Sequence, residues 1–560
     1  MENQRKKYFI TASLAYSNNV PHLGNLIGST LSGDFFARYK RSQGFEVVYL
    51  CGTDEYGSTT TIKAKQEGLT CEKLCEKYHN LHKKIYDWFN IKFDIWGRTP
   101  TIEQTEITHD IFINLYKNGF IGSGNLTQLY CEKCAMFLAD RYIKGTCYHD
   151  ECKEKNSVAN GDQCDICQKM IDVHKLINPF CYVCKTTPVI KETKHLFLKL
   201  DKLQDRLEDY LETGSKFSGN VLSIAKSWLA QGLTPRCITR DLSWGTPIPA
   251  GVDEFLDQFV DKVFYVWFDA PFGYYSIFAH ARKDWTEWLN SPETEWISMQ
   301  AKDNIPFHTI VFPGSILGTN LSELRYPLID RICATDYLLY EGKKFSKSEG
   351  VGLFGDKIIE VSNKLGMNED YWRFYLAKIR PETQDSSFSL KDFVATIKAD
   401  LINNIGNFVR RCVSLSNKYC NGEISCDSVC VTIPLYIFQY CKLMDEFKFR
   451  DALKLCLELS SKGNLYLQTE KPWELVKDNC DGAKVIIGNA VMICWVLVNL
   501  LSPFIPKTCE NILSSAVKTE SKFYFDPQKN GTYIFKTNDI GSIPFKKIGL
   551  EEISPLLENL

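Results

Sequence analysis

Residues 8–41, YFITASLAYSNNVPHLGNLIGSTLSGDFFARYKR, decide the fold. The run 8–12 is strand-like, and the run 26–41 is helix-like. The segment PHLGN, residues 21–25, stands where this strand passes into the helix N-terminus. Phosphate binds best at such a junction, because free backbone N–H groups and the helix dipole both face it.

The PHLGN segment offers neutral groups to an anion. Pro21 suits the first turn of a helix, and Gly24 removes a side chain so that a nucleotide can approach the backbone. His22 and Asn25 are three residues apart and project from one face. The three-glycine dinucleotide fingerprint and the eight-residue P-loop are both absent from this turn. Their absence argues against hydride transfer and against an ordinary ATPase.

A second segment, KFSKS at residues 344–348, supplies cations. Lys344 and Lys347 are compact mobile charges that can follow a triphosphate as its charge moves toward the leaving pyrophosphate, and Gly350 permits a closing loop. A Lys-Ser-rich stretch is usually a solvated loop, and a lone histidine at a helix start is usually a cap. Together and in this order, the two segments indicate a nucleotide-activating enzyme.

These segments resemble the two signature sequences of the class I aminoacyl-tRNA synthetases. The residues around them resemble the methionyl-tRNA synthetases of the eukaryotic and archaeal type, from about residue 8 to about residue 506. The most specific strings are CGTDEYG at 51–57, RDLSWG at 240–245, VWFDAP at 266–271, KDN at 302–304 and PFH at 306–308.

The resemblance implies an activity in two steps. The methionine carboxylate attacks the α-phosphate of Mg-ATP to give methionyl-adenylate and pyrophosphate, and the terminal adenosine of tRNA(Met) then takes the methionyl group. ATP, L-methionine and tRNA(Met) are the expected partners, with Mg²⁺ accompanying ATP. Partners in a multi-synthetase complex are not visible in the sequence. The alternatives are a catalytically silent tRNA-binding paralogue and a class I synthetase for another amino acid.

The resemblance also assigns residues by position. The ATP-binding set is His22, Gly24, Asn25, Lys344, Ser346 and Lys347, of which His22, Asn25, Lys344 and Lys347 are the catalytic groups. The methionine-binding set is Leu14, Tyr16, Asp54, Trp267, Ala270, Pro271, Tyr274 and His308. The anticodon set is Asn407, Arg411 and Trp473. Glu349, where the family is frequently basic, departs from the pattern and places a carboxylate beside the triphosphate loop.

The assigned residue types suit their ligands. Aromatic and aliphatic walls favour a thioether through dispersion and sulfur–aromatic contacts, and Asp54 near a strand's C-terminal end offers a charge-assisted bond to an ammonium group. Trp473 can stack on an unstacked base. Without the resemblance, aromatic residues of this kind are usually core, and an isolated Asn407 and Arg411 are usually a solvated face.

The 22 cysteines form two populations. Eight of them lie in close pairs with zinc-ligand spacing, enough for two closed structural Zn²⁺ sites. These pairs are Cys131 with Cys134, Cys147 with Cys152, Cys164 with Cys167, and Cys181 with Cys184. The remaining cysteines are scattered through apolar stretches, which favours a reduced, cytoplasmic protein over disulfides.

The resemblance implies that the zinc knuckles nest, with the outer two pairs sharing one ion and the inner two pairs the other. The Cys147 pair has a wider spacing than the others. The four inner cysteines are the expected ligands of the second ion, with two alternatives: His149 replaces Cys152 as a ligand, or the inner site is empty. We therefore expect one or two ions.

Composition is that of a soluble globular protein with two to four domains: 560 residues, 44% hydrophobic and 24% charged. The formal net charge of -2 predicts no bulk nucleic-acid binding and no DNA partner. No secretory signal is evident in residues 1–7. The uncharged run 485–506 raises the membrane question, but asparagines and a proline interrupt it, so we expect a buried bundle helix and no membrane partner.

We expect an α/β fold: a Rossmann-like doubly wound parallel sheet as catalytic domain, an inserted zinc-knuckle connective domain, and a C-terminal all-α anticodon-binding helical bundle. The runs 46–50, 263–267 and 308–312 are the candidate strands. A stripe of six apolar residues between Phe393 and Cys412 predicts the first bundle helix. The expected division is 1–120 and 230–340 for the catalytic halves, 121–229 for the insert, 341–392 for the signature-loop and stem-contact region, and 393–560 for the helical domain with a short tail.

Overall fold

A six-stranded sheet lies at the centre of the computed structural model. The model describes residues 6–138, 142–153, 158–161, 164, 167, 171–213, 217–321, 325–345, 351–426, 433–515, 533–536 and 545–558. The strands are β1 (Lys7–Ala12), β2 (Ala15–Tyr16), β3 (Glu46–Asp54), β4 (Ile95–Arg98), β5 (Thr294–Ala301) and β6 (Arg331–Thr335). Their order is β6-β5-β1-β3-β2, with β4 also paired to β3, and every pair is parallel.

Strand β1 is the hub of this sheet because it pairs with β5 on one side and β3 on the other. Its side chains alternate between two cores: Tyr8, Ile10 and Ala12 belong to one apolar cluster and Phe9 to the other. The chain leaves β1 toward β3 and later returns beside it as β5. The carboxyl end of β1 is therefore a topological switch point, where open α/β sheets bind ligands.

The helix after β1 is continuous from residue 23 to residue 42 but changes geometry on the way. It runs as α-helix over Leu23–Asn25, as π-helix over Leu26–Thr30 and as α-helix over Leu31–Ser42. His22 is its N-cap, so Pro21 lies before the helix and not in its first turn. We call the segment 23–42 the signature helix. A π segment inside an α-helix is frequent at functional sites.

Shorter helices cover both faces of the sheet. Those preceding β5 are Ser58–Glu67, Cys71–Trp88, Ile102–Lys117, Gln204–Thr213, Gly219–Ala230, Val266–Asp269, Gly273–Ala281 and Trp285–Leu289, and Phe312–Thr319 follows it. Single 3₁₀ turns occur at Val173–Lys175, Leu200–Leu203, Leu256–Phe259, Ala270–Phe272 and Lys302–Asn304.

Antiparallel strands separate the two halves of the central sheet along the chain. Ile121–Cys131 pairs with Val189–Leu198 over ten residues, and Met136–Phe137 and Arg236–Cys237 extend that sheet at its two edges. A three-stranded sheet beside it contains Ile143–Thr146, Val158–Asn160 and Ile177–Cys181. Thr239–Arg240 pairs separately with Val263–Phe264.

The remainder of the chain is mostly helical. Its helices are Gly355–Leu365, Glu369–Lys378, Leu390–Thr396, Asn407–Tyr419, Ile433–Asp445, Phe449–Glu470, Pro472–Leu475, Cys480–Leu501, Pro506–Ser515 and Leu550–Glu558, with a π segment at Ile397–Gly406. Two small sheets pair Leu338–Tyr340 with Ser386–Phe388 and Glu423–Cys426 with Tyr533–Lys536. The predicted apolar stripe is confirmed, since Phe393, Ile397, Leu401, Ile405, Phe408 and Cys412 are all buried.

Among the described residues, the helix Cys480–Leu501 alone is long and apolar enough to cross a bilayer by length and composition. Within its most apolar window, 61% of the residues are buried inside the bundle. It packs against the helices Phe449–Glu470 and Asn407–Tyr419. The expectation of a buried bundle helix in this run is met.

Two candidate strands were wrong. In the run 263–267 only Val263–Phe264 is a strand, and the helix Val266–Asp269 follows at once. The run 308–312 lies in a π segment, Phe307–Val311, that leads into a helix. Short apolar runs fit a buried strand or a buried helix equally well, so tertiary packing decides between them. The strands β5 and β6 were not predicted.

A buried ion pair joins the signature helix to the helical bundle. Arg373 and Asp34 are both fully buried and lie 2.7 Å apart. Arg38 adds a second cation, 2.8 Å from the same carboxylate oxygen. The remaining guanidinium N–H groups donate to the carbonyl oxygens of Phe89, Asn90, Pro503 and Phe504. Burial by itself raises the pKa of Asp34, but the charges of Arg38 and Arg373 lower it by more than burial raises it. The net shift of the pKa is therefore downward.

We predict that Asp34→Asn lowers the free energy of unfolding by roughly 3 kcal/mol, because it leaves the Arg373 charge buried without a counter-charge. Urea unfolding at neutral pH measures the loss, with Glu360→Gln in an exposed lysine cluster as control. The folded pKa of Asp34 lies below its unfolded value. Its stabilisation is therefore complete above the unfolded pKa and is lost as pH falls through the folded pKa. Equal midpoints for both variants would contradict the prediction.

Candidate active site

His22 caps the signature helix with its own ring. Nδ1 accepts from the backbone N–H of Gly24 at 3.1 Å and of Asn25 at 3.3 Å, while the Asn25 amide oxygen accepts from the His22 N–H at 3.1 Å. Burial lowers the pKa of His22 to about 4, so the ring is neutral. Because Nδ1 is an acceptor, the proton must reside on Nε2. The cap thus leaves an N–H donor at the helix N-terminus.

Gly24 has a local packing role as well. A Cβ at this position would lie 3.0 Å from both Cε1 and Nδ1 of His22. The glycine therefore makes room for the imidazole to fold back over the first turn. Its predicted place beside a nucleotide stays a prediction.

The two signature segments meet at this ring. Phe345 stacks on His22 with 4.3 Å between ring centroids and 6° between planes, and Phe354 meets the ring edge-on. A backbone hydrogen bond also links the two regions: the Gly355 N–H donates to the Pro21 carbonyl oxygen at 2.8 Å. Lys344, next to Phe345, places its ammonium group over the ring of Tyr337. Ser346, Lys347 and Glu349 lie outside the described residues.

Several residues assigned to the methionine site lie together near the carboxyl ends of the strands. Tyr16, the last residue of β2, meets Trp267 edge-on at 6.0 Å, and Trp267 stacks on Phe307 at 3.9 Å. Leu14 packs where Gly273 leaves space, since a Cβ on Gly273 would lie 2.6 Å from its Cδ1. Phe307 was missed by the sequence analysis, although it directly precedes the assigned His308 and belongs to the string PFH at 306–308.

A polar chain forms another part of this site. Tyr274 Oη lies 3.0 Å from His308 Nε2, and the Gln300 amide donates to Tyr274 Oη at 3.0 Å. His308 Nδ1 lies 2.9 Å from the carbonyl oxygen of Asn304 and so carries the proton. Burial lowers the pKa of His308 to about 4, which keeps the ring neutral. Ala270 and Pro271 lie in the 3₁₀ turn directly before the helix Gly273–Ala281, which carries Tyr274.

Asp54, at the carboxyl end of β3, is a buried acid with a free acceptor. Its Oδ1 has no hydrogen-bond partner within the described part of the chain, and the residue is 5% exposed. Burial, and then the nearby Asp269, raise the pKa of Asp54 well above its usual value. Burying a charge is costly unless it is paired. A ligand cation at this position would supply the missing partner.

Residues on both sides of Asp54 are held by a chain of directed hydrogen bonds that the sequence analysis did not find. Trp96 Nε1 donates to His79 Nε2 at 3.0 Å, His79 Nδ1 lies 2.7 Å from Thr53 Oγ1, and Thr53 donates to Glu55 at 2.7 Å. An indole can only donate and a carboxylate can only accept, so His79 must be the neutral Nδ1–H tautomer. The strand end that carries Asp54 is fixed by this chain.

Eight cysteines gather into two clusters of four. One contains Cys131, Cys134, Cys181 and Cys184, and the other Cys147, Cys152, Cys164 and Cys167, with all sulfurs of a cluster within 4.8 Å of one another. The predicted nesting of outer and inner pairs is confirmed. The pairs Cys134–Cys181, Cys147–Cys167 and Cys152–Cys164 lie 3.9, 3.8 and 3.8 Å apart. Four Zn–S bonds of ~2.3 Å in a tetrahedron need sulfurs ~3.8 Å apart. These three pairs fit Zn²⁺, whereas Cys131 and Cys184, at 3.3 Å, lie closer together.

The inner cluster contains Cys152 and not His149. His149 Nδ1 lies outside the four sulfurs, 3.4 Å from Cys147 Sγ and 3.7 Å from Cys167 Sγ. In the outer cluster, hydrogen bonds from Thr186 lower the pKa of Cys184 to about 6, which favours the thiolate that a metal requires.

The three anticodon candidates form one partly exposed group on the helical bundle. Asn407 and Arg411 both donate to Asn464, at 3.1 and 3.3 Å to its amide oxygen. Arg411 lies over the Trp473 ring, 5.6 Å from its centroid. Trp473 is in the short helix Pro472–Leu475, as expected. Asn464 was missed, because nothing in its local sequence distinguishes it from a solvated residue.

Comparison with known proteins gives one consistent result. The model of the family described as "tRNA synthetases class I (M)" matches residues 8–413, and that described as "Anticodon binding domain of methionyl tRNA ligase" matches residues 427–552. The chain is 57% identical to the methionine–tRNA ligase of Acanthamoeba polyphaga mimivirus, over 99% of both chains. It is 45% identical to the cytoplasmic methionine–tRNA ligase of Homo sapiens, over 90% of this chain and 56% of that one.

A solved structure has the same fold at low sequence identity. The methionyl-tRNA synthetase of Mycobacterium tuberculosis bound by methionyl-adenylate superposes with a TM-score of 0.76 at 20% identity, over 97% of this chain and 100% of that one. The chain thus spans nearly the whole length of the viral and bacterial proteins and about half of the human one.

Proposed function

The chain belongs to the class I methionine–tRNA ligase family, and we propose how its own residues carry out that activity. The enzyme activates L-methionine with ATP to methionyl-adenylate and transfers the methionyl group to the terminal adenosine of tRNA(Met). The observation that carries the assignment of residues is the stacking of His22 on Phe345, which joins the two signature segments. The silent tRNA-binding alternative has no support.

Methionine binds through its ammonium group and its thioether. The free Oδ1 of Asp54 accepts a hydrogen bond from the ammonium group. The positive charge of that group stabilises the buried carboxylate in its ionised form, which burial alone disfavours. The thioether lies against the rings of Tyr16 and Trp267, because sulfur–aromatic contacts are favourable. Leu14, Ala270 and Pro271 line the same pocket. The neutral Tyr274–His308 pair places no formal charge beside the thioether.

Activation is catalysed by positioning and electrostatics. The methionine carboxylate attacks the α-phosphate in line, without a protein nucleophile. His22 Nε2–H donates to the phosphates at the helix N-terminus. The Asn25 amide oxygen is committed to the cap, so only its NH₂ group can donate. Lys344 and Lys347 balance the charge of the leaving pyrophosphate, and Gly24 and Ser346 complete the proposed ATP-binding set. Mg²⁺ enters with ATP and neutralises phosphate charge.

We expect ATP–pyrophosphate exchange that depends on methionine and not on leucine, isoleucine, valine or cysteine. His22→Ala should lower the exchange rate roughly a hundredfold, with methionine affinity little changed, because it removes a donor to developing charge. His280→Ala is the matched control, since His280 is exposed and pairs only with Glu103 among the described residues. Near-normal exchange in His22→Ala would overturn the assignment, and exchange with another amino acid would overturn the pocket.

We propose one structural Zn²⁺ in each of the two cysteine clusters. Metal analysis of the purified protein should give one ion per cluster. Cys134→Ser and Cys152→Ser should each remove one ion, and Cys480→Ser, at an exposed position outside both clusters, should remove none. Full metal content in Cys152→Ser would show that His149 can replace this ligand and would contradict the inner assignment.

We also propose that the Asn407–Arg411–Trp473 group holds the anticodon. Trp473 offers a face for a base and Arg411 a fork of donors. Arg411→Ala should raise the KM for tRNA(Met) about tenfold or more and leave exchange unchanged, because activation needs no tRNA. Arg450→Ala, at an exposed position in the helix Phe449–Glu470, is the control. An unchanged KM for tRNA(Met) would remove the group from recognition.

The domain division and the compartment remain part of this proposal. We divide the chain into catalytic halves at 1–120 and 230–340, an insert at 121–229, a signature-loop region at 341–392 and a helical domain at 393–560; limited proteolysis tests these borders. The human relative is named as cytoplasmic, and free thiols at the described cysteines fit that compartment. Fractionation of the source cells tests it, and recovery in an organelle would contradict it.

A further inference from the structure

Tyr337, two residues beyond β6, holds two ammonium groups against its ring. Lys302 Nζ lies 3.9 Å and Lys344 Nζ 4.7 Å from the ring centroid. The Tyr337 hydroxyl donates to Asp303, and its backbone N–H donates to Asp385 Oδ1 at 2.9 Å. The hydroxyl bond holds the far end of the phenol, and the backbone bond holds the chain segment that carries it.

The two lysines differ in what else holds them. Lys302 forms ion pairs with Asp385 at 2.6 Å and Asp336 at 3.2 Å. Lys344 forms no ion pair within 4 Å with any residue that the structure describes; the Tyr337 ring lies nearest its ammonium group, and its charge helps to lower the pKa of Asp385 from a longer distance. A carboxylate partner would compete with a phosphate for this cation. An aromatic face attracts it only weakly and can release it to a polyanion.

We propose that Tyr337 is a positioning residue for methionine activation. Before ATP binds, the Tyr337 ring holds the Lys344 ammonium group at the edge of the ATP site. When ATP binds, the ammonium group leaves the ring and binds the triphosphate. The inference rests on the proposed role of Lys344 in the function above. Because Lys302 is anchored by two carboxylates, it stays on the ring and preserves the orientation of Tyr337 when Lys344 leaves.

The charges around the ring set what ATP must overcome. Lys302 pairs with Asp336 and Asp385, and the Tyr337 hydroxyl donates to Asp303. Three carboxylates therefore surround two ammonium groups and oppose the departure of Lys344 until a triphosphate supplies more negative charge. Moving one ammonium group toward a triphosphate leaves Lys302 with its own two partners undisturbed. The departure of Lys344 therefore breaks no hydrogen bond among the residues that hold the phenol.

The test compares Tyr337→Leu with Tyr337→Phe and Tyr337→Trp in ATP–pyrophosphate exchange. Tyr337→Leu removes the aromatic face and should lower kcat/KM for ATP about fivefold, while the KM for methionine stays unchanged. Tyr337→Phe and Tyr337→Trp keep the face and should remain within about twofold of the parent. A loss in Tyr337→Phe equal to that in Tyr337→Leu would overturn the proposal, because the hydroxyl bond to Asp303 would then be the group that matters.

A double-mutant cycle shows whether Tyr337 acts through Lys344. Tyr337→Leu should have no further effect in the Lys344→Ala background, measured as single-turnover adenylate formation at high enzyme concentration. Full additivity, or an equal rise in the KM for methionine, would mean a general structural role and would overturn the proposal. Absence of exchange in the unaltered protein would instead defeat the proposed function and is distinguishable from either result.

Discussion

The buried ion pair between Arg373 and Asp34 is the constraint on which the rest of the structure depends. Asp34 lies on the signature helix, twelve residues after the His22 cap. Arg373 donates as well to the carbonyls of Pro503 and Phe504, at the end of the long bundle helix. Both side chains are fully buried, so neither can move without leaving an unpaired charge. The pair therefore holds the signature helix and the bundle in one fixed arrangement.

Within that frame, the site relies on proton positions and on unmet partners more than on strong charges. His22, His79 and His308 are all neutral, and hydrogen bonds specify which nitrogen of each ring carries the proton. Two groups in the site are not satisfied by neighbouring residues in this way: the free oxygen of Asp54 and the weakly held ammonium group of Lys344. In the proposed mechanism a substrate brings the partner of each: an ammonium group for the acid and a triphosphate for the lysine.

Sequence reasoning found the parts of the site whose role is local. The strand-to-helix junction at residues 21–25, the acid at the end of β3 and the cysteine pairs each follow from neighbours in the chain. It failed where packing between distant segments decides. The run 308–312 became a π segment and not a strand. Phe307, His79, Asn464 and Tyr337 act through contacts with residues far away in the chain, so no local pattern marks them.

The most direct test of this account is a crystal structure of the protein with a non-hydrolysable sulfamoyl analogue of methionyl-adenylate. The account predicts the analogue's ammonium group on Asp54 Oδ1, its thioether against the Tyr16 and Trp267 rings, and its sulfamoyl oxygens within hydrogen-bond reach of His22 Nε2. An analogue bound elsewhere, or bound with its ammonium group away from Asp54, would contradict the account.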